Sequence, residues 1–214
     1  MARLEETIYH QLDVLPSHTL NRKETLIVIV DMINGFVREG AMADPKIANI
    51  IPAHLDLFKQ LELANHLYFV DAHLSDCQEF KSFPAHCIIG TEESEIVEEL
   101  KEDSLSAQVI QKNSTNGFLA PDFLNHLDQI ITYDDFVITG CCSDICVLQF
   151  ALTLQTYIHQ YNKDKHVYVV VDAIDTYDSG DHKAESFNKI SIDLLKASGV
   201  QVVKMKEGNK NESM

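Results

Sequence analysis

The run Leu-Ile-Val-Ile-Val at Leu26 to Val30, closed by Asp31, leaves no polar side to face water. Strand side chains alternate between the two faces of a sheet, so a strand that is apolar at every position needs cover on both. Tyr-Val-Val-Val at Tyr168 to Val171 makes the same demand. Runs of this kind belong to parallel sheets layered with helices, whereas antiparallel sheets with one wet face show alternation.

Six segments carry the β-branched, apolar character of strands: Thr25 to Asp31, Leu67 to Ala72, Gln108 to Lys112, Phe136 to Gly140, Val167 to Ala173 and Gln201 to Lys204. Helical spacing falls between them. It places Ile51, Leu55 and Phe58 on one stripe behind Pro52, Val147, Phe150, Ala151, Leu154 and Ile158 on a second, and Phe187, Ile190 and Leu194 on a third. The alternation predicts an α/β fold, a three-layer α/β/α sandwich around a six-stranded, mainly parallel, doubly wound sheet. At 214 residues the chain is expected to form a single domain, 1–214, with its core over about 24–205. The polar stretch Glu207 to Met214 is expected to fray.

The formal net charge of −16 repels phosphate backbones and anionic lipid, so nucleic acid and membrane surfaces are not expected partners. No apolar stretch approaches the roughly 20 residues that span a bilayer. Met1 to Leu15 carries Glu5, Glu6 and Asp13 instead of a basic-then-apolar leader, and a cytoplasmic location is expected. Five cysteines, at 77, 87, 141, 142 and 146, are an odd number without disulfide-framework or zinc-knuckle spacing, so free thiols are expected.

Ligands of doubly wound sheets bind at the carboxyl ends of the strands. That rim collects Asp31 after the first strand, Asp71 and His73 after the second, Lys112 after the third and Cys146 just past the fourth. Singly, each has an ordinary structural reading, Asp31 as the cap of a turn and Lys112 as a solvated strand end. Together they make a coherent set: a thiol whose ionisation the start of a helix would favour, a carboxylate to take its proton, and an ammonium to stabilise the charge that develops. Cys141 and Cys142 read as small packed residues. The stretch from Asp71 to Gly90 adds His86 and Glu79 on a long irregular loop, a mixture of imidazole and carboxylate that suits Zn, Mn, Fe or Co.

These residues resemble the isochorismatase-like cysteine hydrolases, and within them the nicotinamidases, over residues 24 to 205. G-C-C-S-D-I-C-V at 140 to 147 is similar to the family's nucleophile segment and puts the nucleophile on Cys146. D-M-I-N-G-F at 31 to 36 resembles the motif of the triad aspartate and a substrate-contacting aromatic, here Asp31 and Phe36. K-N-S-T-N-G-F at 112 to 118 resembles the lysine motif, with Asn116 and Gly117 where Ser and Ala are frequent. Asp71, His73 and H-C-I-I-G-T from His86 fit the metal-carrying branch.

The resemblance implies catalytic residues Asp31, Lys112 and Cys146, and an oxyanion hole of the Cys142 and Cys146 amides aimed by a cis peptide between Cys141 and Cys142. It also implies substrate contacts from Phe36 and Phe83, and one divalent metal ion, zinc first, held by Asp71, His73, Glu79 and His86. The reaction implied is hydrolysis of nicotinamide to nicotinate and ammonia, a step of NAD salvage. Relatives are often homo-oligomers, so a homo-oligomer is expected. Three rival readings remain at this stage: an amidohydrolase for a ureido or carbamoyl amide, a non-catalytic binding protein, and a redox protein using the vicinal thiols.

Overall fold

The structure, a computed structural model, describes residues 3–20 and 23–205. Seven strands form one sheet: β1 (Asp13–Val14), β2 (Thr25–Val30), β3 (Asn65–Asp71), β4 (Gln108–Lys112), β5 (Asp135–Gly140), β6 (His166–Ile174) and β7 (Gln201–Lys204). Their order is β1-β7-β6-β5-β2-β3-β4, and every neighbouring pair is parallel. The helices are α1 (Glu6–His10), α2 (Asn34–Val37), α3 (Ile51–Gln60), α4 (Glu98–Ser104), α5 (Pro121–Asn125), α6 (Leu127–Ile130), α7 (Cys146–Gln160) and α8 (Ala184–Ala197).

The period of two set by the apolar runs divides the core. Val28 and Val30 of β2 join Phe69, Phe136 and Ile138 under α5, α6, α7 and α8, whereas Ile27 and Ile29 join Tyr68, Val70 and Val137 under α2, α3 and α4. All six residues of β2 and all six of β5 are buried. These two strands are neighbours, yet the chain leaves β2 toward β3 and β4 on one side and returns to β5 on the other. The resulting switch point opens a crevice at their carboxyl ends.

Two sequence expectations need correction. The sheet has seven strands, not six: β1 has only two residues, both exposed, and no apolar run marks it. Helical register also differs. Ile51 of α3 is buried as expected, but its companions are His54 and Leu57, while Leu55 is exposed. In the ring of His54, Nδ1 meets the carbonyl of Ile50 at 2.9 Å while Nε2 is buried without a hydrogen-bond partner, and burial lowers its pKa to about 4. On α8 the inward residues are Ala184, Asn188, Ser191, Ile192 and Leu195, leaving Ile190 and Leu194 exposed. The polar Asn188 turns inward because it has three bonding partners there, the Ser143 hydroxyl, the Asp175 carboxylate and the carbonyl of Arg3. The α7 stripe of Val147, Phe150, Ala151, Leu154 and Ile158 is buried as expected.

Among the described residues no helix is long and apolar enough to cross a membrane. The stretch Glu207 to Met214 lies outside the described residues.

Candidate active site

Two backbone features aim the crevice side chains. Gly140 ends β5 at φ +109°, and a Cβ there would stand 1.9 Å from the carbonyl oxygen of Val30, so no other residue fits. Asp31, one step past β2, takes φ +51°, an uncommon conformation for a residue with a side chain, and its amide donates to Phe69 O at 3.0 Å. The peptide between Cys141 and Cys142 is cis.

Asp31, Lys112 and Cys146, with Asp71, lie together and buried. Lys112 Nζ bonds to Asp71 Oδ1, lies 2.8 Å from Asp31 Oδ2 and 3.8 Å from Cys146 Sγ. A carboxylate oxygen each from Asp31 and Asp71 and the sulfur of Cys146 are all within 4.8 Å of one another. Asp31 Oδ1 accepts from the Asp71 amide at 2.9 Å, whereas Oδ2 faces Lys112 outside hydrogen-bond geometry and keeps a lone pair for a proton.

The electrostatics separate the two carboxylates. Burial, then the charge of Asp71, raises the Asp31 pKa to about 7 against the opposing pull of Lys112. Burial would raise Asp71 as well, but Lys112 and His73 hold it below the usual carboxylate value. Burial opposes the charge on Lys112, yet Asp31 and Asp71 together hold its pKa well above the ordinary value. Cys146 does begin a helix, but its thiol is not depressed as the sequence suggested. Burial raises it well above the ordinary value, Lys112 opposes, and Asp31 and Asp71 raise it further. The pair is therefore a neutral thiol beside a carboxyl poised near neutrality, suited to proton transfer during attack.

Cys142 and Cys146 are both buried on the nucleophile loop. Among the described residues, neither of their amides donates to a protein acceptor, although the neighbouring Cys141, Ser143, Ile145 and Val147 amides all do. Two undirected donors beside a buried thiol are of the kind an oxyanion hole requires. All five cysteines are free thiols, and Cys141 and Cys142 are packed in the core as expected.

Asp71, His73 and His86 bring one ligand atom each within 4.8 Å of one another, all three residues buried. Their second contacts suit a cation. His86 Nδ1 meets Pro84 O at 2.8 Å. His73 Nδ1 meets Cys77 Sγ at 3.6 Å, and that thiol donates onward to Asn113 O at 3.4 Å. With protons on both Nδ1 atoms, both Nε2 lone pairs face Asp71 Oδ2, at 3.5 Å from His73 and 4.0 Å from His86. His73 Nε2 is buried without a hydrogen-bond partner. Glu79 lies further out. Its Oε1 is 3.8 Å from His73 Nε2, and its Oε2 accepts from the Thr115 amide at 3.0 Å. The donor set fits a divalent ion held by two imidazoles and a carboxylate.

One small, partly open pocket joins both groups. Its lining includes Cys142 and Cys146, Asp71, Glu79 and His86, and Phe36 and Phe83, so the aromatic residues singled out in the sequence do meet the crevice. Met42, Thr115 and Ile145 complete the wall. Thr115 and Ile145 stand inside the lysine and nucleophile motifs and could have been drawn from them; Met42 carries no sequence signal.

The isochorismatase domain family matches residues 25–207. Nicotinamidase 1 of Arabidopsis thaliana is 34% identical over 171 residues, 69% of this chain and 70% of that protein. Among solved structures, the pyrazinamidase of Pyrococcus horikoshii in complex with zinc aligns with a TM-score of 0.69 at 23% identity, over 85% of this chain and 99% of its own. N-carbamoylsarcosine amidase from Thermoplasma acidophilum aligns with a TM-score of 0.65 at 22% identity, over 86% and 98%. At those identities the two structures speak for the fold alone.

Proposed function

The chain belongs to the isochorismatase domain family and is a hydrolase of amide C–N bonds; from that premise we propose that it converts nicotinamide to nicotinate and ammonia through a thioester on Cys146. The observation that carries this reading is one pocket whose wall holds Cys146, Asp71 and His86 of the metal-fitting cluster, and the rings of Phe36 and Phe83. A flat ring that bears a carboxamide and a ring nitrogen finds there a thiol, a cation-fitting cluster and aromatic faces.

In this mechanism Asp31 takes the Cys146 proton through its free Oδ2 lone pair as sulfur attacks the carboxamide carbon. The oxyanion forms within reach of the Cys142 and Cys146 amides, which have no protein acceptor to give up. Lys112 keeps two carboxylates tolerable in one buried space and stabilises negative charge at Sγ. Asp31 returns the proton to the departing ammonia, then takes one from the water that opens the thioester. A divalent ion, zinc by the nature of the ligands, would be held by Asp71, His73 and His86 with Glu79 alongside, and would supply a Lewis acid for the ring nitrogen.

The direct test is nicotinate and ammonia formation by purified protein before chelation, after it, and after zinc is restored. Activity is expected to disappear on chelation and return with metal. A metal-loaded protein that releases neither product sinks the nicotinamidase reading, and ureido and carbamoyl amides become the substrates to try.

The rate should also fall in acid. Asp31 acts as a base only when ionised, and its pKa, raised to about 7 by burial and by Asp71, sets the starting point for the acid limb of kcat/KM. Charge repulsion from Asp71 is part of that elevation, so a cation on Asp71 moves the acid limb below 7. A pH profile that stays flat as acid is added would remove Asp31 from the role of base.

A further inference from the structure

We propose that Arg3, which precedes the family-matching segment, is a positioning residue that ties the pocket lip carrying Met42 to the loop carrying the Cys142 and Cys146 amides. The kinetic half of this inference rests on the amidase reading above; the structural half does not.

The guanidinium makes four contacts to distant parts of the chain. Nη1 lies 2.9 Å from Asp44 Oδ2 and 3.6 Å from Asp178 Oδ2, Nε lies 3.0 Å from Asp175 Oδ2, and Nη2 donates to Thr176 O. Asp44 stands two residues beyond Met42 in the segment between α2 and α3, and its Oδ2 also accepts from the Asp178 amide at 3.0 Å. Asp175 follows β6, and its carbonyl accepts from the Ser143 amide at 3.0 Å, within the nucleophile loop. The same loop is held a second way. Ser143 Oγ donates to Asn188 Oδ1, while Asn188 Nδ2 donates to Asp175 Oδ1 at 2.8 Å and to the carbonyl of Arg3 at 3.0 Å.

One guanidinium thus sits among three carboxylates, and a planar fork with fixed donors suits that task better than a point charge. Lys46 lies nearby as well, its Nζ 3.7 Å from Asp178 Oδ2. Asp175 is buried, and burial pushes its carboxyl above the ordinary value while Asn188 and Arg3 oppose that rise. Without Arg3 this carboxylate must take up a proton or turn toward water, and either change alters what Asn188 and Ser143 can bond. Such movement would shift the two amides beside Cys146, and misplacement on the scale of 1 Å costs about 100-fold in rate.

The test compares full-length wild type with Arg3→Met, which keeps the stem but removes the charge, with Arg3→Lys, and with Asp44→Asn. Amide hydrogen exchange across residues 41–46 and 141–147 is read beside kcat and KM for nicotinamide. Arg3→Met is expected to speed exchange in both segments about tenfold while leaving β2 and β5 protected, and to lower kcat by about 10- to 100-fold. Arg3→Lys should recover part of both effects. Asp44→Asn should loosen 41–46 alone and raise KM with kcat held. Unchanged exchange in Arg3→Met overturns the proposal, as does faster exchange with kcat and KM unaltered. If Arg3→Met does not fold, the Lys and Asn variants decide by the same two readouts. A wild type inactive on nicotinamide defeats the substrate reading only, and exchange then decides the tie by itself.

Discussion

Ammonia release by Cys146→Ala is expected to fall by at least about 10⁴-fold, a loss of the size seen when a covalent nucleophile is removed from a concerted catalytic set. The fold should hardly notice. The change deletes one sulfur atom from a buried site next to Val147 and Phe150, worth about 1 kcal/mol, so the melting temperature should move by only a few degrees. Binding should survive as well, because Phe36, Phe83 and the Asp71, His73 and His86 cluster are untouched. Equilibrium dialysis with nicotinamide alongside a single-turnover assay would separate the two effects. Retention of more than a hundredth of the wild-type rate would show that sulfur is not the attacking atom.

Lys112→Met is expected to damage both stability and rate. The ammonium is fully buried, as are its carboxylate neighbours Asp31 and Asp71, and the three are balanced only as a group. Methionine conserves much of the volume but leaves two carboxylates facing each other, and breaking a buried pair in this way costs about 3–5 kcal/mol. The sign of the pH dependence follows. Lys112 lowers the pKa of both carboxyls, so its loss raises them, and Asp31, already near 7, retains its proton to still higher pH. A folded carboxyl pKa above the unfolded value favours the native state most below the unfolded pKa, and that contribution is lost as pH rises through the folded pKa. The variant should therefore lose more stability relative to wild type in neutral solution than in acid. Its acid limb for kcat/KM should move to higher pH, with kcat down by about 10²–10³-fold. Denaturant titration at acid and neutral pH checks the first outcome. A stability difference independent of pH would mean that Lys112 acts by packing alone.

The parts of this molecule legible in the sequence are those encoded locally. Leu26 to Val30 admits no environment but a sheet covered on both faces, and strand ends in such a sheet must share a rim, so Asp31, Asp71, Lys112 and Cys146 could be gathered before any coordinates. What escaped is encoded at long range. The inward face of α8 is chosen by Asn188, whose partners Ser143 and Arg3 lie 45 and 185 residues away, so apolar spacing alone points to Ile190 and Leu194 instead. The thiol of Cys146 escaped for a related reason: helix position is local, but the burial and the two carboxylates that outweigh it are tertiary. Met42 and Arg3 bear no motif at all.

The shortest strand has a consequence for self-association. β1 pairs with Val203 and Lys204, and the Leu15 amide extends that pairing with a 2.8 Å bond to Lys204 O. Without it the sheet would end in β7, whose Val202 and Val203 form part of a regular ladder and would offer a ready template to a strand from another molecule. With it the sheet ends in two residues, too brief to recruit one. At the far margin, β4 is only five residues long and sets Gln108 and Gln111 beside the exposed Val109, so both borders of this all-parallel sheet limit strand addition by brevity.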